Sequence, residues 1–256
     1  MRLTVLGSSA SCAGPGQACA GHYLEAAGAR VLFDCGNGVL ANLGRLENPT
    51  ALDAVFLTHN HPDHYADIYS LQAMIRYAPQ GPVGPIPLYV AGELFERMQC
   101  LLSERGAREF AEAFVPIRLA DGQPVDIGDL RVTPYEVVHT DPTFAVRAEA
   151  DGASMCYTSD TSPGEHTLRA ARGVDLLVAE ATLPEEYAGV APHLTAVEAG
   201  TLAKDAGAGA LVLVHIWPTN DRDLTAELAS RAYGGPVVVA REFDEFDITP
   251  PNGRDD

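Results

Sequence analysis

The stretch "FLTHNHPDHYADI", residues 56–68, sets His59, His61, Asp63 and His64 within six positions, directly after an apolar run. His59 and His61 lie two apart at the end of an extended segment, so their side chains point the same way. Asp63 and His64 lead into the next helix. Imidazoles and a carboxylate converging at a strand end form a donor set for a borderline-soft divalent cation, zinc first. A lone surface histidine carries no such meaning. Here the joint spacing does, and His59, His61 and His64 cannot all be core residues.

The rest of a dinuclear shell is expected downstream, where other apolar strands end. "EVVHT" places His139 after one run, "CYTSDT" places Asp160 after a second, and "LVLVHI" places His215 after a third. Singly, each reads as a capping or solvated residue. All three together, each ending an apolar strand, read as ligands.

Around these motifs, apolar runs alternate with Gly, Pro, Asn and Asp. Strands are predicted at 2–6, 22–26, 30–34, 53–58, 87–91, 130–138, 144–150, 154–160, 174–181, 210–215 and 236–240. Helices are predicted over 64–77, 92–113, 166–172, 195–207 and 221–233. The 195–207 helix opens on a Thr-x-x-Glu box at Thr195 and Glu198 and closes on Gly207. Residues 80–87, "QGPVGPIP", read as a loop inside one domain spanning 1–248, and 249–256 as a disordered tail. This order predicts a layered α/β domain with helices covering sheets.

Composition bounds the function. The 256 residues are 46% apolar and 20% charged, with no apolar run of the roughly 18–20 residues a membrane helix needs. The N-terminal apolar stretch is too short for a secretory signal, so the chain reads as cytoplasmic. Cys12, Cys19, Cys35, Cys100 and Cys156 are odd in number and lack CxxC spacing, against a disulfide framework or zinc ribbon; each reads as a small buried hydrophobe. The formal charge of −18 opposes a long polyanionic partner, but not a small anion drawn in by bound cations.

The HxHxDH cluster, followed by His, Asp and His at strand ends in this order, resembles the metallo-β-lactamase fold family over nearly the whole chain, from "LTVLGSSAS" to "VLVHIWP". The resemblance implies an αββα four-layer sandwich of two mixed sheets, with the metal site on loops at one edge. It implies that His59, His61 and His139 bind one metal. Asp63, His64 and His215 bind the other, and Asp160 bridges them. Oxygen-reducing diiron members usually carry Glu where His61 stands, which argues against redox chemistry. A non-catalytic scaffold of this fold would be expected to lose ligands, and all seven are present.

Three further stretches are similar to the ribonuclease Z branch: "LGSSAS…GHYLE…VLFDCGNGV", "AEATL" with Glu180 at a strand end, and "HLTAVEAG" with His193 before the capped helix. The similarity implies that Glu180 and His193 act together near the leaving group. A phosphodiester needs an in-line nucleophile on one side and a proton for the departing oxygen on the other. Two metals about 3.5–4 Å apart hold a bridging hydroxide and neutralise phosphate. His193 would then serve as acid, Glu180 would orient it and raise its pKa, and Asp63 would help steer the nucleophile. "SDTSP" (159–163) is either a source of donors to phosphate or a plain turn.

One departure decides the branch reading. Ribonuclease Z enzymes that process tRNA carry an inserted Gly/Pro-rich basic arm. Here His139 to Asp160 spans 21 residues and Asp160 to His215 spans 55, with no such insert. The chain is therefore most similar to arm-less members that act as small phosphodiesterases, including those for cyclic nucleotides. A tRNA 3′-processing endonuclease and a lactone or thioester hydrolase are the alternatives. The expected cofactors are two divalent ions, zinc first with manganese also accommodated. The expected partners are a small phosphodiester and, from the resemblance, a second copy in a homodimer, with residues 65–115 as interface or lid. His22 is read as lining the site or structural, His166 as exposed, and Trp217 as core rather than pocket wall.

Overall fold

The computed structural model describes residues 1–79 and 82–250. The first half of the chain builds one sheet. β1 (Arg2–Gly7), β2 (Gly21–Ala26) and β3 (Ala29–Phe33) form an antiparallel meander. α1 (Val39–Leu43) then leads to β4 (Ala54–Leu57), α2 (Ile68–Tyr77), β5 (Ile86–Val90), α3 (Leu94–Gln99), α4 (Glu104–Ala113) and β6 (Phe114–Arg118), whose strands continue the sheet in parallel.

The second half repeats this logic. β7 (Val125–Ile127), β8 (Leu130–Val137), β9 (Thr143–Ala150) and β10 (Ala153–Tyr157) are antiparallel. α5 (Glu165–Ala171), β11 (Leu176–Glu180), α6 (Ala196–Ala206), β12 (Ala210–Val214), α7 (Arg222–Tyr233) and β13 (Val237–Val239) follow, with β11, β12 and β13 parallel to β10. β14 (Glu245–Asp247) returns to pair with β1. The result is two seven-stranded mixed sheets, ordered β14-β1-β2-β3-β4-β5-β6 and β13-β12-β11-β10-β9-β8-β7.

Strand alternation assigns the layers. Val5, Leu24, Phe33 and Phe56 meet Val132, Val146, Tyr157, Val178 and Val214 between the sheets. The opposite faces bury Leu32, Val55 and Leu88 against Ile68, Leu71 and Phe110, and Cys156, Leu177 and Leu213 against Ala170, Ala199 and Ala203. β4, β10 and β11 are buried along their whole length because both faces are covered. This is the four-layer αββα sandwich expected.

Several details differ from the sequence reading. The 92–113 segment is two helices, because Ser103 starts a new one by accepting from Gly106 N. β6, β7 and β14 lie where no strand was predicted; each is short and at or near a sheet edge. The Thr195–Glu198 capping box is formed, and α7 is capped by Asp221. Cys19, Cys35 and Cys156 are buried, but Cys12 and Cys100 are exposed. Part of the predicted 80–87 loop and most of the predicted 249–256 tail lie outside the described residues. Among the described residues, no helix is long and apolar enough to cross a membrane.

Candidate metal centre

The carboxyl ends of β4, β8, β10, β11 and β12 open at one edge of the sandwich, and each delivers a polar side chain there. β4 ends at Leu57, and Thr58 to His64 turn across the edge before α2 begins. Backbone bonds lace this turn to the β3–α1 connection: Cys35 N donates to His64 O at 2.7 Å, and Asp67 N to Cys35 O at 3.0 Å. Asp67 Oδ2 in turn accepts from Gly38 N at 2.9 Å and Leu40 N at 3.1 Å. Gly36 permits the approach, since a Cβ there would sit 1.9 Å from the Asp63 carbonyl oxygen.

The polar side chains fall into groups. His59, His61, His139 and Asp160 bring ligand atoms within 4.8 Å of one another, as do Asp63, His64 and His215. His61 Nδ1 and His139 Nε2 are 3.1 Å apart, and His64 Nε2 and His215 Nε2 are 3.3 Å apart. Tetrahedral zinc with bonds of about 2.0–2.1 Å sets its ligand atoms about 3.3 Å apart. Asp160 lies between the groups. Its Oδ2 is 3.7 Å from His59 Nε2 and from His139 Nε2, while its Oδ1 is 3.4 Å from His64 Nε2.

Two of these atoms, His59 Nε2 and Asp160 Oδ1, are buried without a hydrogen-bond partner among the described residues. A buried donor or acceptor left unpaired is costly unless something else satisfies it. A divalent cation between converging nitrogens and carboxylates does so, and the donor set fits one.

The outer nitrogens are held in place. His64 Nδ1 donates to Asp34 Oδ2 at 2.7 Å, and His139 Nδ1 to Pro192 O at 2.8 Å. Thr58 Oγ1 lies 3.1 Å from His59 Nδ1, and Thr182 Oγ1 lies 2.8 Å from His215 Nδ1. Such partners fix ring orientation and tautomer, leaving the other nitrogen for a cation. Among the described residues, four of the seven non-glycine residues with positive φ, namely Ser11, Asp34, Ser159 and His215, sit at this edge. Strained backbone concentrates where side chains must be aimed.

Electrostatics favours the binding-competent forms of His59, His139 and Asp63. Burial holds His59 well below the ordinary imidazole pKa and brings His139 down to about 4, so both are neutral. Burial alone would raise Asp63, but the His215 hydrogen bond and the charge of His64 outweigh it and bring the carboxyl to about 2. Burial disfavours a charge on His64, yet Asp160 and Asp34 hold it well above the usual value. That negative field equally favours a bound cation.

A family model described as the beta-lactamase superfamily domain matches residues 29–216. The chain belongs to that superfamily. An uncharacterised protein of Mycobacterium tuberculosis is 34% identical over 97% of this chain and 92% of its own length. The crystal structure of the metallo-β-lactamase fold protein YhfI from Bacillus subtilis superposes with a TM-score of 0.86 at 28% identity, covering 96% of this chain and 99% of that one. A ribonuclease Z of Natronomonas pharaonis is 27% identical across 98% of this chain and 99% of its own length, in an alignment of 312 positions against the 256 residues here. Membership of the superfamily makes the chain a hydrolase of the metal-dependent class.

Glu180 and His193 reach the same edge of this superfamily member. His193 Nδ1 lies 3.1 and 3.0 Å from the two Glu180 oxygens, and 3.9 Å from Asp160 Oδ2. Glu180 is fully buried and also accepts from Thr161 N at 2.6 Å and from Thr182 Oγ1. Burial opposes a charge on His193, but the hydrogen bond and the negative charge of Glu180 outweigh it and raise its pKa.

All nine site side chains expected from the sequence, Glu180 and His193 included, therefore lie together. Other expectations fare differently. Two of the "SDTSP" donors are used internally: Ser159 Oγ donates to Thr58 Oγ1 at 2.7 Å, and Thr161 N serves Glu180. His22 does not line the site; it is buried beneath it, edge-on to Tyr157. Trp217 is 38% exposed and so is not a core residue. His166 is exposed on α5. The supporting residues Asp34, Thr58 and Thr182 carried no role in the sequence reading. Asp34 offered a signal, since it ends an apolar strand in "VLFDCG" as Asp160 does in "CYTSD".

Proposed function

We propose that this protein is a two-metal phosphodiesterase that hydrolyses a small phosphodiester of the cyclic-nucleotide class. His59, His61 and His139 would hold one divalent cation, Asp63, His64 and His215 a second, and Asp160 would bridge them; zinc suits this donor set first and manganese is also accommodated. When bound, the cations would supply Lewis-acid charge for the phosphate and activate water.

The observation that carries the reading is the Glu180–His193 pair beside the two donor groups. Phosphodiester cleavage needs a proton for the departing oxygen, whereas the thiolate of a thioester leaves without one. With Nδ1 committed to Glu180, His193 has Nε2 left to give that proton as the P–O bond breaks. Glu180 holds the ring and stabilises its charged form. The second Asp63 oxygen is available to orient water.

Substrate size follows from what the chain omits. β9 and β10 occupy the stretch between His139 and Asp160, and α5, β11, α6 and β12 occupy that between Asp160 and His215. The aligned ribonuclease Z has segments that this chain lacks. Together with a net charge of −18, this favours a small substrate over a long nucleic acid. The reading includes a homodimer through the α2–α4 face, where Tyr77 and Leu101 are exposed; solution scattering should return twice the 27.1 kDa chain mass.

The test is parallel turnover of 3′,5′- and 2′,3′-cyclic nucleotides and of a precursor tRNA with a 3′ trailer, with His193→Ala as control. Cyclic nucleotide turnover that collapses in the variant supports the proposal. Trailer removal alone would replace it with the endonuclease reading, favoured by the ribonuclease Z relatives. Cyclic nucleotide turnover that survives His193→Ala would remove His193 as the acid, and turnover of neither substrate would point to lactones or thioesters.

A further inference from the structure

Glu242 lies in the turn between β13 and β14, remote in sequence from every residue of the site. Its Oε1 accepts from Ser8 N at 3.1 Å, Ser8 Oγ at 3.2 Å and Ala18 N at 3.1 Å. Ser8 and Ala18 are the two feet of the loop that leaves β1. One carboxylate thus closes the loop at its base.

The rest of the loop is braced from that base. Ser9 N donates to Ala18 O at 3.0 Å, and Ser9 Oγ donates to Cys12 O at 2.6 Å. Ile216 N donates to Ser8 O at 2.9 Å and Ala10 N to Ile216 O at 3.1 Å, which ties the loop to the residue after His215. At the apex, Ser11 is held at φ 57°, a left-handed conformation a non-glycine residue rarely keeps unless its surroundings impose it. Its N–H donates to Asp63 Oδ2 at 2.9 Å, the same oxygen that lies 3.2 Å from His215 Nε2.

We propose that Glu242 is a positioning residue for the Asp63–His64–His215 group. It acts through the 8–18 loop, by presenting the Ser11 N–H that fixes the Asp63 carboxylate. The inference rests on the reading of Asp63 as a metal ligand. The physical case is simple. Ser11, Cys12, Ala13, Pro15 and Gly16 are exposed, so little apolar burial holds the loop apex. Without the anchor at its feet, Ser11 relaxes from positive φ and its N–H turns away. Asp63 then loses a charge-assisted hydrogen bond and is free to rotate. The His59–His61–His139 group is not tied to this loop, and its geometry is unaffected.

Zinc titration calorimetry on the metal-free full chain tests this, with thermal unfolding of the metal-free proteins recorded alongside. Asp63→Ala identifies the binding step to which Asp63 belongs. Glu242→Ala should weaken that same step by about 10- to 100-fold and leave the other unchanged. Glu242→Asp, whose shorter side chain cannot reach both feet, should do the same and carries the test if the alanine variant fails to fold. Glu242→Gln keeps an acceptor at Oε1 and should retain wild-type affinity. Equal weakening of both steps, or no change in either, in the two loop-releasing variants would overturn the inference, because a merely structural role lowers stability without choosing between steps. If Asp63→Ala changes neither step, the ligand reading itself falls and takes the inference with it.

Discussion

The Asp34 carboxylate lies 2.7 Å from Nδ1 of His64, beneath the donor cluster and wholly inside the protein. The same carboxylate accepts from Thr58 N at 2.8 Å, Thr58 Oγ1 at 2.9 Å and Tyr157 OH at 3.0 Å. One buried group therefore sets the tautomer of His64 and anchors the residue before His59. In Asp34→Asn, the amide would place an N–H toward Nδ1 and move the imidazole proton to Nε2, the nitrogen that faces the cation site. Zinc affinity of one of the two steps should fall about 10- to 100-fold in calorimetry.

The alkaline limb of activity should report His193. Glu180 raises the His193 pKa, so the acid form persists above the usual imidazole range and is lost as pH rises through the raised value. Glu180→Gln removes that charge while keeping a hydrogen-bonding partner. The alkaline fall in kcat should therefore begin at lower pH in Glu180→Gln. A limb that does not move in a pH–rate profile would show that another group sets it.

His22 predicts a pH dependence of stability. Burial, reinforced by the nearby His64 and His215, brings its pKa down to about 3, and neither ring nitrogen has a hydrogen-bond partner among the described residues. The unfolded chain takes up this proton near pH 6.5, while the folded chain resists until about 3. Stability from this group is thus full above 6.5 and declines as pH falls toward 3, by about 1.4 kcal/mol per unit. His22→Leu should remove that decline. Urea unfolding of metal-free protein at pH 6.5 and 5 should show a wild-type loss exceeding that of the variant by about 2 kcal/mol.

Gly36→Ala should damage the turn that carries Asp63. The added Cβ would meet the Asp63 carbonyl oxygen at 1.9 Å and Cys19 Cβ at 2.8 Å, and neither neighbour is the end of a flexible side chain. Overpacking of this kind costs about 1–3 kcal/mol, visible in chemical denaturation. Because the clash falls on the Asp63 backbone, zinc binding should weaken as well. A variant with unchanged stability and affinity would mean that the turn relaxes freely.

The layered fold and the donor set were legible in the sequence because both depend on local pattern. An apolar run of four to eight residues marks a strand that is covered on both faces. A His or Asp at the end of such a run, repeated at His59, His139, Asp160 and His215, marks the edge where those strands open. Thr195, Glu198 and Gly207 wrote their helix boundaries in the same local terms. β6, β7 and β14 were not legible: β7 and β14 are three residues long, and β6 contains Pro116 and is exposed after Phe114, so each takes its pairing from a neighbour rather than from its own alternation.

What the tertiary structure alone decided is which polar groups meet. Tyr157 reaches Asp34, Ser159 reaches Thr58, and Asp160 comes between His59 and His64 only when sheets from both halves of the chain stack. Ser8 and Glu242 stand 234 residues apart and join because β14 returns to β1. Local sequence determines the period and the ends of each element, because those follow from backbone geometry within a few residues. Hydrogen-bond partners across elements follow from the packing of the whole chain, and no short stretch records them.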